Sequence, residues 1–183
     1  RFRRETEASQ RLQHPNVVRC LEAGTNKGIP YLALELLEGE TLKQRVVRRG
    51  CLPTNEACRL LGEAALGVEY IHSQGLIHRD IKPSNIMDDE LGVKVLDLGL
   101  VLSLSADQEQ LTATGVTMGT FDFMSPEQAE RPHEVDCRAD VYSLGATLYF
   151  LLTGQVPYAD ATTTHAKLLA LADPTKHPKP LRE

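Results

Sequence analysis

Asp80, Lys82 and Asn85 are closely spaced in the run His78-Arg79-Asp80-Ile81-Lys82-Pro83-Ser84-Asn85, and a second carboxylate, Asp97, follows in Asp97-Leu98-Gly99. A carboxylate can accept a proton from a hydroxyl, and an ammonium can neutralise a phosphoryl group in transit. A carboxamide oxygen and a second carboxylate are hard ligands suited to Mg²⁺. Together on one tight loop these groups form a site for a metal-bound phosphate, and the chemistry they fit is phosphoryl transfer. Pro83 and Asn85 alone would suit a polar surface turn between strands, but such a turn does not call for the rest of the constellation.

The elements that must hold this loop can be read on either side of it. Pro53 to His72 carries Leu60, Leu61, Ala64, Ala65, Val68 and Ile71 at helical spacing, which predicts a buried central helix with Thr54 as N-cap and Gly75 near its end. Leu76 to His78 is expected to be a short strand delivering the loop. Ile86-Met87 and Val93 to Leu96 flank Asp88-Asp89-Glu90-Leu91-Gly92, a hairpin leading to Asp97. Upstream, Arg1 to Leu12 is a charged, helix-favouring run that stops at His14-Pro15-Asn16 without any helix-start signal, so the chain is expected to begin mid-element. Val17 to Ala23 and Tyr31 to Leu36 read as strands around a Gly24 to Gly28 hairpin, and Leu37-Glu38-Gly39 breaks before the helical Thr41 to Arg49. Downstream come a Ser/Thr-rich segment from Gly99 to Glu127, an apolar helix within Asp136 to Thr153, and a short helix at Thr164 to Ala172.

With 183 residues and a net charge of −5, the chain has the composition of a soluble globular protein, and its bulk charge does not suggest a nucleic-acid partner. The clusters Arg1, Arg3, Arg4, Arg11 and Arg45, Arg48, Arg49 read as solvated helix faces. Cys20, Cys51, Cys58 and Cys137 form no Cys-x-x-Cys pair, and their apolar flanks predict reduced, packed thiols with no zinc site. The apolar stretch Val141 to Leu152 is too short to span a bilayer, and the N-terminus has no signal-peptide core. A cytoplasmic segment is expected, with any membrane anchor of a longer parent lying outside it.

The His78 to Asn85 loop and the Asp97-Leu98-Gly99 run resemble the His-Arg-Asp-Leu-x-x-x-Asn and Asp-Phe-Gly motifs of eukaryotic-type serine/threonine protein kinases, in a bacterial flavour. The resemblance implies an α+β, bilobal fold: a truncated small β lobe over residues 1–37 and a mostly helical large lobe over residues 38–183. It implies ATP and Mg²⁺ as cofactors and proteins bearing Ser or Thr hydroxyls as substrates. Asp80 would then orient and deprotonate the hydroxyl, Lys82 would screen charge, and Asn85 and Asp97 would bind the metal. Glu5 takes the position that pairs with a lysine on a preceding strand, the alternative being a solvated glutamate in a helical Arg/Glu pattern. Leu34 falls at the gatekeeper position, Glu35 and Leu37 would present backbone to the adenine edge, and Met87 would floor the adenine pocket or serve as a core methionine.

The same resemblance reads Gly99 to Glu127 as an activation loop and substrate-docking segment. Arg79 would hold a phosphate placed on Thr112 or Thr114 by another copy of the kinase, while Thr117 reads as a plain loop residue. Thr120 would hydrogen-bond near Asp80 and Lys82 and mark serine/threonine specificity. His78 and Leu98 would pack together, Glu127 sits in Ser-Pro-Glu where relatives have Ala-Pro-Glu, and Asp140 would be a buried carboxylate accepting the loop's backbone N–H groups.

Several features depart from the family pattern. The interval from Asn85 to Asp97 is one residue short, Asp88 stands where an apolar residue is usual, and Leu98 replaces phenylalanine. Ser9 and Cys20 take positions that normally continue an apolar stack, which predicts weak packing there. The glycine-rich loop and lysine strand are not in this chain, so the segment alone is expected to transfer phosphate slowly. A pseudokinase or scaffold of the same fold is the alternative function. A small-molecule kinase fits less well, because Gly119 to Glu127 suits a peptide substrate.

Overall fold

The structure, a computed structural model, describes residues 12–97, 120–131, 133–173 and 175–181. In chain order the elements are β1 (Cys20–Asn26), β2 (Ile29–Leu34), β3 (Gly39–Thr41), α1 (Leu42–Arg49), α2 (Thr54–Ser73), β4 (Ile86–Asp89), β5 (Gly92–Val95), α3 (Pro126–Glu130), α4 (Arg138–Thr153) and α5 (Thr164–Ala172). They make an α+β fold with two separate sheets: β1 pairs with β2, and β3, β4 and β5 form an antiparallel three-stranded sheet in that order.

The β1–β2 hairpin turns on Lys27 and Gly28 alone, both at positive φ (51° and 83°), the backbone of a two-residue turn matched to strand twist. The strands therefore run further into the expected Gly24 to Gly28 loop, and β1 starts at Cys20 instead of Val17. Residues 16–18 lie along β5, where Val18 N donates to Val95 O (2.9 Å) and Asn16 Nδ2 donates to Val93 O (2.8 Å). Gly39 is needed where β3 passes β4, since a Cβ there would sit 2.1 Å from the carbonyl oxygen of Asp88.

Helix α2 is the central support. Ala57, Leu60, Leu61, Ala64, Val68 and Ile71 are buried along its inner face, with Ala65 only half-buried. They join Leu42, Val46, Ile81, Ile86, Val93, Val95 and Leu151 in one core. Full burial of a leucine or isoleucine side chain contributes about 1.5–3 kcal/mol, so this stripe and not local propensity is what holds the helix. Pro53 is the N-cap and makes no side-chain cap bond, so Thr54 is the first helical residue and not the cap. No strand forms over Leu76 to His78; that stretch is irregular backbone, because the groups that anchor its end are side-chain atoms of α4 and not a neighbouring strand.

Two surface expectations also change. Cys20 is buried, but Cys51, Cys58 and Cys137 are exposed, so three of the four thiols are not packed inside. Arg45 is no solvated helix residue: its guanidinium contacts Glu40 (2.9 Å), Glu56 (3.2 Å) and Asp88 (2.6 Å) and is only 13% exposed. These contacts give Asp88 a reason to stand in a strand position where an apolar residue was expected. Among the described residues, no helix is long and apolar enough to cross a membrane.

Candidate functional site

Burial of one carboxylate organises the site. Asp140, in the first turn of α4, is fully buried, yet three donors converge on it. His78 N reaches Oδ2 at 2.8 Å, Arg79 N reaches Oδ1 at 2.8 Å, and His72 Nε2 lies 2.7 Å from Oδ2. A buried charge is tolerated when donors surround it in this way. The consequence is that two successive peptide groups of the loop are fixed from below, and Arg79 is held at φ 66°, a left-handed backbone that costs about 1–3 kcal/mol outside glycine.

His78 is also fully buried, and desolvation pushes its imidazole below the ordinary histidine value, against the opposing pull of the Leu96 carbonyl and nearby carboxylates. Its two neighbours set where the proton sits: Nδ1 faces a backbone N–H and carries none, and Nε2 faces a carbonyl and carries it. Nε2 donates to Leu96 O (2.7 Å), and Nδ1 accepts from Asp80 N (3.2 Å). One side chain thus ties the loop to the strand end that carries Asp97.

Above this base stand Asp80, Lys82 and Asn85. Lys82 Nζ lies 2.8 Å from Asp80 Oδ2, and Asn85 Nδ2 donates to the same oxygen (2.8 Å) and to Asp80 O (2.9 Å). Asp80 Oδ1 takes no hydrogen bond from any described residue, so that oxygen is left to meet a hydroxyl. Asn85 uses its amide nitrogen on Asp80 and turns its amide oxygen elsewhere, the orientation a cation ligand needs. Leu96 N donates to Asn85 O (2.8 Å), which brings Asp97 alongside, exposed and at φ 47°.

The remaining expected residues are less concentrated. Leu34, Glu35 and Leu37 lie on or just after β2, in the stretch leading to β3. Glu35 N already donates to Arg19 O (2.9 Å), so of its backbone only the carbonyl is open to a ligand, while its side chain pairs with the buried Lys94 Nζ at 2.8 Å. Met87 is half-buried on β4 between Thr41 and Lys94. Glu127 is apart from this group, lining a charged cleft with Arg131, Asp136 and Arg138. Glu5, Leu98, Thr112, Thr114 and Thr117 lie outside the described residues, as does the side chain of Thr120, whose backbone opens a short helical turn over Thr120–Asp122.

Sequence reasoning missed His72 and Gln128. The His72 contact with Asp140 joins residues 68 apart in sequence and has no local signature. For Gln128 a signal existed: Ser125-x-x-Gln128 is a capping-box pattern, and the structure forms it at the start of α3.

Comparison with known proteins gives the family. The family model described as protein kinase domain matches residues 1–179. The chain is 40% identical to the serine/threonine-protein kinase PknB of Mycobacterium leprae over 163 residues, which are 86% of this chain and 26% of that protein. It is 37% identical to the serine/threonine-protein kinase PrkC of Bacillus subtilis, covering 24% of it. The chain thus spans about a quarter of the length of the curated relatives it matches. Among solved structures, that of Rad53 residues 1–466 in complex with AMP-PNP superposes with a TM-score of 0.74 at 27% identity, covering 93% of this chain and 42% of that one. The Mycobacterium tuberculosis PknI kinase domain gives 0.71 at 25% identity over 98% of this chain and 61% of that one. The family model covers nearly the whole chain and the fold agrees with it, so the chain belongs to the protein kinase domain family.

Proposed function

We propose that this chain is the catalytic core of a serine/threonine protein kinase that transfers the γ-phosphoryl group of ATP to protein hydroxyls. The observation that carries the reading is the state of Asp80: one carboxylate oxygen is held by Lys82 and Asn85 at 2.8 Å each, and the other takes no hydrogen bond from any described residue. A carboxylate so fixed can orient a Ser or Thr hydroxyl and take its proton as phosphorus is attacked. Lys82, beside it, offers positive charge to the phosphoryl oxygens.

The donor set also fits Mg²⁺, which would supply charge neutralisation at the phosphates; Asn85 Oδ1 and the exposed carboxylate of Asp97 are the residues to hold it. The carbonyl of Glu35 and the backbone of Leu37 are assigned to the adenine edge, with Leu34 and Met87 as apolar neighbours. In this reading residues 1–37 belong to the small lobe and residues 38–183 to the large one. Arg79, Thr112, Thr114 and Thr120 serve loop phosphorylation and substrate choice, Glu5 serves phosphate positioning, and the segment works in the cytoplasm. The scaffold alternative loses its support at Asp88, whose carboxylate has a structural partner in Arg45.

The test is transfer of labelled phosphate from Mg-ATP by the full-length protein to itself and to a panel of protein substrates, followed by phosphoamino-acid analysis. Label on serine or threonine is expected. No transfer under any loading of the loop, or label on tyrosine alone, would overturn the reading.

A further inference from the structure

We infer that Gln128 is a positioning residue for Asp80, coupling the segment that precedes α3 to the catalytic loop; the inference rests on the kinase reading above. The Gln128 side chain bridges two elements. Its Nε2 donates to Arg79 O at 2.8 Å, across 49 residues of sequence. Its Oε1 accepts from Ser125 N (3.3 Å) and Ser125 Oγ (3.2 Å), and its own N–H points at Ser125 Oγ (3.4 Å). The amide cannot be turned over. One neighbour is a carbonyl that requires a donor and the other a backbone N–H that requires an acceptor.

The position of the bond gives it its effect. Arg79 O belongs to the peptide group that joins Arg79 to Asp80, the N–H of which donates to His78 Nδ1. The preceding peptide N–H, that of Arg79, is held by buried Asp140. Asp140 and His78 thus fix this stretch from below and from within the loop, and Gln128 supplies the only hold recorded among the described residues on the carbonyl side. Arg79 stands at φ 66°, a strained backbone that persists only while the contacts on both sides of it hold. Rotation of this peptide moves the Cα of Asp80 and with it the carboxylate. Ser125 is fully buried and caps α3 shortly after the Thr120–Asp122 turn, so the Gln128 side chain links that segment to the peptide before Asp80.

A helix-capping role and a positioning role make different predictions for Gln128→Glu. Glutamate is as good a capping-box partner as glutamine, but its carboxylate has no donor for Arg79 O. In the full-length protein, Gln128→Glu and Gln128→Leu are both expected to lower kcat about tenfold, the scale of one lost hydrogen bond, with KM for ATP unchanged. Gln128→Glu keeps the α3 cap that Gln128→Leu loses, and is expected to melt above Gln128→Leu. Hydrogen–deuterium exchange over residues 78–82 is expected to quicken in both variants. Wild-type kcat in Gln128→Glu, or unchanged exchange over residues 78–82 in both variants, overturns the inference. The exchange measurement does not depend on activity, so a wild-type protein that transfers no phosphate would count against the kinase reading and leave this test intact.

Discussion

At the scale of single residues, buried polar atoms decide the behaviour of the site. Asp140→Ala would leave His78 N and Arg79 N without their acceptor in a dry interior. Each orphaned buried donor costs about 1–3 kcal/mol, so the variant should lose roughly 3 kcal/mol or more, read as a fall in the urea midpoint. An unchanged midpoint would mean that these groups find water or other partners. His78 gives a pH prediction with a definite sign. Its folded value lies below the ordinary 6.5 because burial penalises the imidazolium, so the unfolded chain takes up the proton first. Stability is full above the ordinary histidine range and declines as pH falls below it. Melting temperature should therefore drop between neutral pH and pH ~5.5, and His78→Asn should flatten that slope even if it starts lower. A slope identical in the two proteins would assign the titration elsewhere. The residues of this scale were the most legible in the sequence, since Asp80, Lys82, Asn85 and Asp97 advertise their chemistry by type and spacing. The His72 contact with Asp140 was not, nor was the reach of Gln128 to Arg79 O, because each joins distant stretches of chain; only the Gln128 cap had a local signal.

At the scale of elements, close approach and charge pairing set the geometry. Helix α2 passes the 12–18 segment at Gly67, where a Cβ would lie 2.4 Å from the carbonyl oxygen of Asn16. On an exposed helix face, Gly→Ala gains about 1 kcal/mol. Here Gly67→Ala should instead destabilise by about 1–3 kcal/mol, because backbone must move to admit the methyl group. Equilibrium unfolding measures the sign directly, and a gain in stability would contradict the packing. Arg45 links α1 to β4 and α2 through Asp88 and Glu56. Arg45→Met alone should cost about 1–3 kcal/mol by stranding carboxylates, whereas Arg45→Met with Asp88→Val should recover much of that loss, since an apolar pair replaces a partly buried ionic one. Failure of the double variant to recover would show that Glu40 and Glu56, not Asp88, carry the interaction. Periodicity made α2 and α5 readable almost to the residue. It could not reveal that Leu76 to His78 lacks a strand, because that stretch is anchored by Asp140 side-chain oxygens. Nor could it distinguish Arg45 from its solvated neighbours Arg48 and Arg49, since burial of one helix face by β4 is a tertiary fact.

At the scale of the whole molecule, a helical body built on α2 and α4 presents a short irregular loop, and a separate β1–β2 hairpin stands on the other side of the stretch that follows Leu34. The overall class was legible because the loop motif, the β-rich opening and the two long apolar helices occur in an order that few folds share. The proposed function makes one claim above all: the carboxylate of Asp80, steadied by Lys82 and Asn85 on a loop whose preceding peptides are anchored by Asp140, would be the group that accepts the hydroxyl proton in phosphoryl transfer. The most direct measurement is the rate of labelled-phosphate transfer from Mg-ATP by full-length wild-type protein and by Asp80→Asn, with the melting temperature of each recorded alongside. The account predicts a loss of at least about a hundredfold in kcat with the fold retained, the scale expected for removing a general base. A folded Asp80→Asn protein that transfers phosphate at the wild-type rate would contradict it.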